Sequence, residues 1–350
     1  MIRWPSVIGR VVGKYRILAQ IGEGGMGIVY RAEHVVLGSP AAVKVLLEQF
    51  TRDAVVVDRF FQEAKAASGI RHVGIVEVFD YGRLPNGQAY IAMELLRGED
   101  LSMFRARRGR LEPELATQIG LQVLAALNAT HVVGVVHRDL KPDNIFLVRD
   151  PGAPGSIRVK ILDFGIAKLI GDRFGARPQS RGGTILGTPA YMAPEQCRGG
   201  TELDARADLY AVGCLLFELL TGRPPFLGSG DGEVMAMHIY EPPPRLSNLA
   251  PELPVELDAL IAKLLTKAPA DRIPSAAYAL ATLERAPVAP LVDEVALSGT
   301  HYAIGPAAHA ALIPGTDDAP SEPMPRWIPV AVIAGALAIA VAAAVAIGIT

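Results

Sequence analysis

Eight consecutive residues, His137-Arg138-Asp139-Leu140-Lys141-Pro142-Asp143-Asn144, gather two carboxylates, a guanidinium, an ammonium and a carboxamide. A surface turn of coincidental composition is not expected to carry that set in that order. Upstream, Ile21-Gly22-Glu23-Gly24-Gly25-Met26-Gly27-Ile28-Val29 is a glycine run. Such a run lets the backbone approach a polyphosphate and point N–H groups at it. A dinucleotide-binding loop needs a helix after its glycines. Here Ile28-Val29-Tyr30 follows, which is strand chemistry, so a flap between two strands fits better. Lys44, in Ala42-Val43-Lys44, can hold phosphate oxygens if its strand faces that flap. Glu63, on a helical segment, can pair with the Lys44 ammonium. Asp163 follows the strand-like Val159-Lys160-Ile161-Leu162 and offers a carboxylate to Mg²⁺ at a strand end. Taken singly, each has an ordinary alternative: a flexible hairpin, a solvated strand lysine, a solvent-facing helix glutamate.

The order of these motifs, with Asp163-Phe164-Gly165 and Ala193-Pro194-Glu195 after the eight-residue loop, resembles that of the eukaryotic-like protein kinases. The resemblance runs from Tyr15 to about Leu283. Within that family GEGGMGIVYRAEH, GTPAYMAPEQ and DLYAVGCLLFELLTGRPPF resemble the bacterial Ser/Thr kinases. Lys141 and Gly187-Thr188-Pro189 resemble the Ser/Thr class rather than the Tyr class. The resemblance implies an α+β, bilobal protein-kinase fold with a small β-rich lobe and a larger helical lobe.

It also implies roles, with ATP as substrate and Mg²⁺, or Mn²⁺ in its place, as cofactor. Gly22, Gly24 and Gly27 would cover the phosphates. Lys44 would hold the α- and β-phosphates and pair with Glu63. Asn144 and Asp163 would bind the metal. Asp139 would orient and deprotonate a Ser or Thr hydroxyl, and Lys141 would steady the γ-phosphate. Ile21, Val29 and Ala42 would roof the adenine slot and Phe146 would floor it. Met93 would be its gatekeeper, with the hinge at Glu94 to Leu96. Asp100 could touch the ribose, but reads first as a helix N-cap. Arg138 would meet a phosphate on the activation segment. Ser180 and Thr184 are the candidate phosphosites there, and Thr188 aligns with a substrate-facing threonine. Glu195 and Arg272 match a buried ion pair, and Asp208 an acid that braces the catalytic loop. Ala268, before Pro269, stands where related chains often carry Asp.

The elements that must position these groups are legible as patterns. YRILAQI, GIVYRAEH, AAVKVLL, IVEVFDYG and AYIAMELL read as strands, RFFQEAKAAS (59–68) as a helix, and Leu115 to His131 as the first long helix of the second lobe. The expected divisions are an N-terminal extension (1–14), a kinase domain (15–285, its lobes meeting near 96–97), a Pro/Ala-rich linker (286–327) and a transmembrane helix (328–349).

The net charge of −2 gives no argument for nucleic acid. Two cysteines, Cys197 and Cys214, make no disulfide framework and read as structural. Ile328 to Ile349 carries no charge and is long enough to span a bilayer core. Arg326 and Trp327 flank it, which predicts a single-pass inner-membrane protein with its kinase domain in the cytoplasm. Ala334, Ala338, Ala342 and Ala346 form a small-residue stripe that would support a helix-paired homodimer. Two other functions compete with a protein kinase. A silent kinase-like scaffold would usually lack Lys44, Asp139 or Asp163, and all three are present. A small-molecule kinase is disfavoured by the segment ending in Ala193-Pro194-Glu195.

Overall fold

Alternation along one strand arranges the small lobe. In β4 (Pro40–Leu46), Ala41, Val43 and Val45 point to one face and join Ile17, Tyr30, Ala32, Tyr90 and Ala92 in a buried cluster. Ala42, Lys44 and Leu46 point to the other face. Ala42 meets Ile21 and Val29, and Leu46 meets Val57, Phe60 and Ala64. The remaining strands are β1 (Val11–Val12), β2 (Tyr15–Glu23), β3 (Gly27–His34), β5 (Val78–Arg83) and β6 (Ala89–Met93). Every pairing is antiparallel, in the order β1-β2-β3-β4-β6-β5. This computed structural model describes residues 7–163, 189–200, 203–298 and 301–302.

Helix α1 (Ala54–Ser68) lies on this sheet with Val57, Phe60, Ala64 and Ala67 buried. It starts five residues before the expected Arg59. The Asp53 side chain accepts from the N–H groups of Val55 and Val56, and that cap fixes the earlier start. The β-branched run Val55-Val56-Val57 hides the start in the sequence. The expected strand from Ile75 to Gly82 begins only at Val78; Ile75 instead makes a lone parallel bridge to Ile161.

The large lobe begins with β7 (Arg97–Asp100), α2 (Leu101–Arg108) and α3 (Pro113–Val132). The hairpin β8 (Ile145–Arg149) and β9 (Ile157–Ile161) pairs onto β7. Then follow α4 (Pro194–Cys197), α5 (Arg206–Thr221), α6 (Asp231–Tyr240), α7 (Val255–Leu264) and α8 (Ala276–Leu283). Every residue of α5 from Ala207 to Leu220 is buried, as expected of a helix apolar on all sides. The large-lobe core forms around it, with Leu115, Ile119 and Leu124 of α3 and Leu260 and Leu264 of α7.

Two expected boundaries move. The N-terminal extension already contains β1, with Val12 buried against the sheet. The predicted linker does not begin at Ala286. Residues 286–298 lie on the large lobe, with Val295 buried in its core and Val288, Leu291 and Leu297 packed against it. Beyond them, β10 (His301–Tyr302) pairs antiparallel with β7. Among the described residues no helix is long and apolar enough to cross a membrane. The run Ile328 to Ile349 lies outside the described residues, as do Phe164, Gly165, Ser180, Thr184 and Thr188.

Candidate active site

The glycine run forms the tip of the β2–β3 hairpin and no helix follows it. Gly24 N–H donates to the Gly27 carbonyl at 2.8 Å and closes the turn. Gly22 remains in the ladder opposite Val29. A Cβ on Gly27 would stand 2.7 Å from the Val45 carbonyl oxygen, so that approach of β3 to β4 needs glycine.

Beneath the flap, β4 and α1 bring Lys44 and Glu63 together, and the end of β9 brings in Asp163. Lys44 Nζ lies 2.9 Å from Asp163 Oδ1 and 3.4 Å from Glu63 Oε1. Burial opposes the Lys44 charge, but Asp163 and then Glu63 outweigh it, so the ammonium is held well above its ordinary range. The two carboxyls divide. Burial works against the charge of Asp163, yet Lys44 and the hydrogen bonds from Lys44 and Glu63 hold it below the usual range. Burial pushes Glu63 up, against the pull of Lys44 and reinforced by Asp163. One ammonium between two buried carboxyls thus favours one anion, at the strand end that faces the cleft.

The catalytic loop is shaped from below by Asp208 of α5. Its Oδ2 accepts from the His137 N–H and its Oδ1 from the Arg138 N–H, both at 2.8 Å. The His131 ring nitrogen Nε2 lies 2.8 Å from the same Oδ2. These bonds hold Arg138 at φ 67°, a left-handed conformation that a non-glycine residue adopts only when its surroundings impose it. The buried His137 ring places Nε2 3.0 Å from the Leu162 carbonyl, tying the loop to the strand that ends at Asp163. The Asp208 brace expected from the sequence is therefore present, with His131 as an unforeseen third contact.

Asn144 Nδ2 donates to the Asp139 carbonyl at 2.6 Å and to Asp139 Oδ2 at 3.3 Å. Its Oδ1 is buried without a hydrogen-bond partner among the described residues. An orphaned amide oxygen near the Asp163 carboxylate is what a hard divalent cation would satisfy, with phosphate oxygens and water completing its shell. The residues fit Mg²⁺ on that basis. Among the described residues no set of three or more His, Cys, Asp or Glu side chains gathers as a metal site. Lys141 is buried at the same loop, beside Asp139 and Arg138.

The apolar slot is two small clusters joined by one side chain. Ile21, Val29 and Ala42 form the upper cluster, with Leu95 against it. Val76, Leu96, Phe146 and Leu162 form the lower one. Met93 packs against both. Val76 and Leu162 are not distinguished in the sequence, where isolated apolar residues carry no signal of which cavity they line, while Leu95 falls within the expected hinge. Glu94 anchors the hinge: its N–H donates to the Glu77 carbonyl at 2.9 Å, and its carboxylate accepts from Lys160 at 2.7 Å. Asp100 is an N-cap, accepting from Met103 N–H at 2.9 Å and Ser102 Oγ at 2.7 Å.

On the far side of the loop, Arg138 Nε is buried and without a hydrogen-bond partner among the described residues. Gln196 Nε2 donates to the Arg138 carbonyl at 2.8 Å and links α4 to the loop. Glu218 of α5 accepts from the Tyr191 hydroxyl and pairs with Arg105 Nε at 3.2 Å. Burial raises the Glu218 carboxyl, against the Tyr191 hydrogen bond and Arg105. The expected pair Glu195–Arg272 is bidentate, at 2.8 and 3.1 Å. Neither cysteine forms a disulfide, and Cys214 is buried.

A profile of the protein kinase domain matches residues 15–282. Serine/threonine-protein kinase Pkn1 of Myxococcus xanthus is 42% identical over 308 residues, 81% of this chain and 43% of that protein. Serine/threonine-protein kinase PknH of Mycobacterium tuberculosis is 38% identical over 271 residues, 77% of this chain and 41% of that one. The crystal structure of the PknI kinase domain of Mycobacterium tuberculosis superposes with a TM-score of 0.60 at 29% identity, covering 80% of this chain and 99% of that one. The chain belongs to the protein kinase domain family, in its bacterial serine/threonine branch. It spans under half the length of these curated relatives.

Proposed function

We propose that this protein transfers the γ-phosphate of ATP to serine and threonine hydroxyls of proteins. The observation that carries the reading is the convergence of Lys44, Glu63 and Asp163 beside a catalytic loop whose Asn144 Oδ1 awaits a ligand. Lys44 binds the α- and β-phosphates, and Glu63 limits where its ammonium can go. Asp163 and Asn144 would hold Mg²⁺, which when bound would neutralise phosphate charge. Asp139 accepts the hydrogen bond of the incoming hydroxyl and takes its proton as the new O–P bond forms and the bond to the β-phosphate oxygen breaks. Lys141 meets the γ-phosphate. Ile21, Val29, Ala42, Met93 and Phe146 enclose the base and exclude water.

Activation follows from the same loop. Phosphate on Thr184, with Ser180 as a second site, would satisfy the buried Nε of the Arg138 guanidinium and hold the segment before Ala193-Pro194-Glu195 in place. Thr188 would face the substrate. The uncharged run from Ile328 to Ile349 would anchor the chain in the inner membrane with the kinase in the cytoplasm, in membrane-associated signalling. Its alanine stripe would allow pairing of two chains.

The test is transfer of radiolabelled phosphate from ATP to a generic protein substrate, by the parent and by Asp139→Asn. The parent should label the substrate, and the variant should be slower by about 10²–10⁴-fold, the usual span of a positioned general base. Equal labelling by both, or none by the phosphorylated, Mg²⁺-loaded parent, would reject the reading. Thr184→Ala should remain at the level of the unphosphorylated parent.

A further inference from the structure

Residues 286–298 and β10 follow α8, yet they return to the strand that leaves the hinge. Separate contacts define the path. The Val295 N–H donates to the Gly155 carbonyl at 2.8 Å, at the turn of the β8–β9 hairpin. Gly155 sits at φ 64°, and a Cβ there would stand 2.4 Å from Leu291 Cδ2, so the turn is shaped for the segment crossing it. Glu294 pairs with Arg149 at the end of β8. Further on, the Ser298 N–H donates to Glu99 Oε1 at 2.8 Å. Then β10 pairs with β7, His301 opposite Gly98 and Tyr302 opposite Arg97.

Glu99 is where the segment's Ser298 N–H meets β7 directly. It is a carboxylate only 1% exposed, three residues after Leu96 at the hinge. Its Oε1 accepts from Arg107 Nη2 of α2 at 2.6 Å and from the Ser298 N–H. A buried carboxylate depends on such donors, because an unmet one carries its full desolvation penalty. The neighbouring Gly98 is pressed against β8, where a Cβ would stand 1.9 Å from the Leu147 carbonyl oxygen. The position of β7 is thus set from both sides, by β8 and by the returning segment. The elements fastened in this way carry the floor of the slot: Leu96 precedes β7, and Phe146 lies in β8 opposite Asp100.

We propose that residues 286–298, with β10 (His301–Tyr302), form a clasp that positions the hinge for nucleotide, with Glu99 the positioning residue through which its docking acts. The proposal rests on the reading that the cleft binds ATP. Releasing the clasp loosens β7 and Leu96, and so weakens the grip on the base. The peptide side of the catalytic loop is anchored instead by Asp208 and Gln196, through bonds to Arg138. Nucleotide affinity should therefore depend on the clasp while peptide affinity does not.

The experiment uses the full chain and three variants. Ser298→Pro removes the N–H that Glu99 accepts. Val295→Asp places a charge in the core pocket. Val295→Ile keeps that pocket apolar. KM for ATP and KM for a peptide substrate are measured for each, together with amide hydrogen exchange across residues 97–100. The first two variants should raise KM for ATP about tenfold, the scale of one lost hydrogen bond to a charged group. They should speed exchange on β7 and leave KM for peptide within about twofold, while Val295→Ile matches the parent. Unchanged KM for ATP with unchanged exchange on β7 would overturn the clasp. So would equal rises in both KM values, which would make the segment a general brace. A parent that binds no ATP would instead reject the reading of the cleft, so the two failures are distinguishable.

Discussion

Arg272 carries its charge inside the large lobe with no exposed side-chain surface, so every donor must find an acceptor. Glu195 takes two of its N–H groups, and the carbonyls of Thr266, Arg206 and Lys267 take others. Breaking such a pair leaves the partner's charge stranded. Arg272→Met should lower unfolding free energy by about 3–5 kcal/mol in urea titration. Adding Glu195→Gln should restore a large part of that loss, because the second change removes the uncompensated carboxylate. At this scale the sequence was highly legible where function is written in contiguous motifs. Lys44 stands beside Glu63, Asp208 beneath the catalytic loop and Arg272 against Glu195, as their motifs imply. It was silent on residues whose meaning lies only in a distant contact. Gln196 reaches a carbonyl 58 positions away, and Glu99 an N–H 199 positions away. Glu99 sits in no pattern that distinguishes it from an ordinary polar residue, and Gln196, though it ends GTPAYMAPEQ, carries no signal there of the carbonyl it reaches. Gln122 is another such residue, with Nε2 donating to the Ile157 carbonyl and Oε1 accepting from Val159 N–H on β9.

The short helix α6 is held at its C-terminal end by Lys267, whose ammonium donates to the carbonyls of Met237 and His238 at 3.1 and 2.8 Å. That ammonium also lies 4.2 Å from the Phe226 ring centroid. His238 fills the space between α6 and α5, edge-on to Phe226 and hydrogen-bonded to the Tyr210 hydroxyl at 2.9 Å. Burial, with the nearby Lys267 charge second, pushes its imidazole down to about 4. The unfolded chain protonates this ring near pH 6.5 and the folded one does not until about 4. The folded state is therefore fully favoured above pH 6.5, and that advantage is lost as pH falls towards 4. Its size is about 3 kcal/mol. Urea midpoints measured from pH 7 to 4.5 should fall steeply for the parent and less for His238→Phe. Periodicity made most elements of this kind visible, because burial on one face repeats along the chain. The clasp has no such repeat. Val288, Leu291, Val295 and Leu297 are irregularly spaced among Pro and Ala, so they resemble a linker until the surface they cover is known.

Across the whole molecule, the small-lobe clusters and the large-lobe core are separate bodies of apolar contact. Groups from both, Lys44 and Glu63 on one side and Asp163 and Asn144 on the other, face one cleft. A ligand bound there should tie the two unfolding events together. A non-hydrolysable ATP analogue with Mg²⁺, at about 100 times its Kd, should stabilise the fold by about 2.7 kcal/mol. In thermal unfolding, EDTA should remove part of that gain in the parent and much less of it in Asn144→Ala, which lacks the amide oxygen for the cation. The pairing of β10 with β7 has one more consequence, for solubility. A chain ending at Leu283 would present the outer edge of β7 as a row of open N–H and C=O groups, next to the apolar patch that Leu291 and Val295 otherwise cover. An open strand edge beside exposed apolar surface is a template for another chain's strand, so what fastens the hinge also keeps one molecule from aggregating with the next.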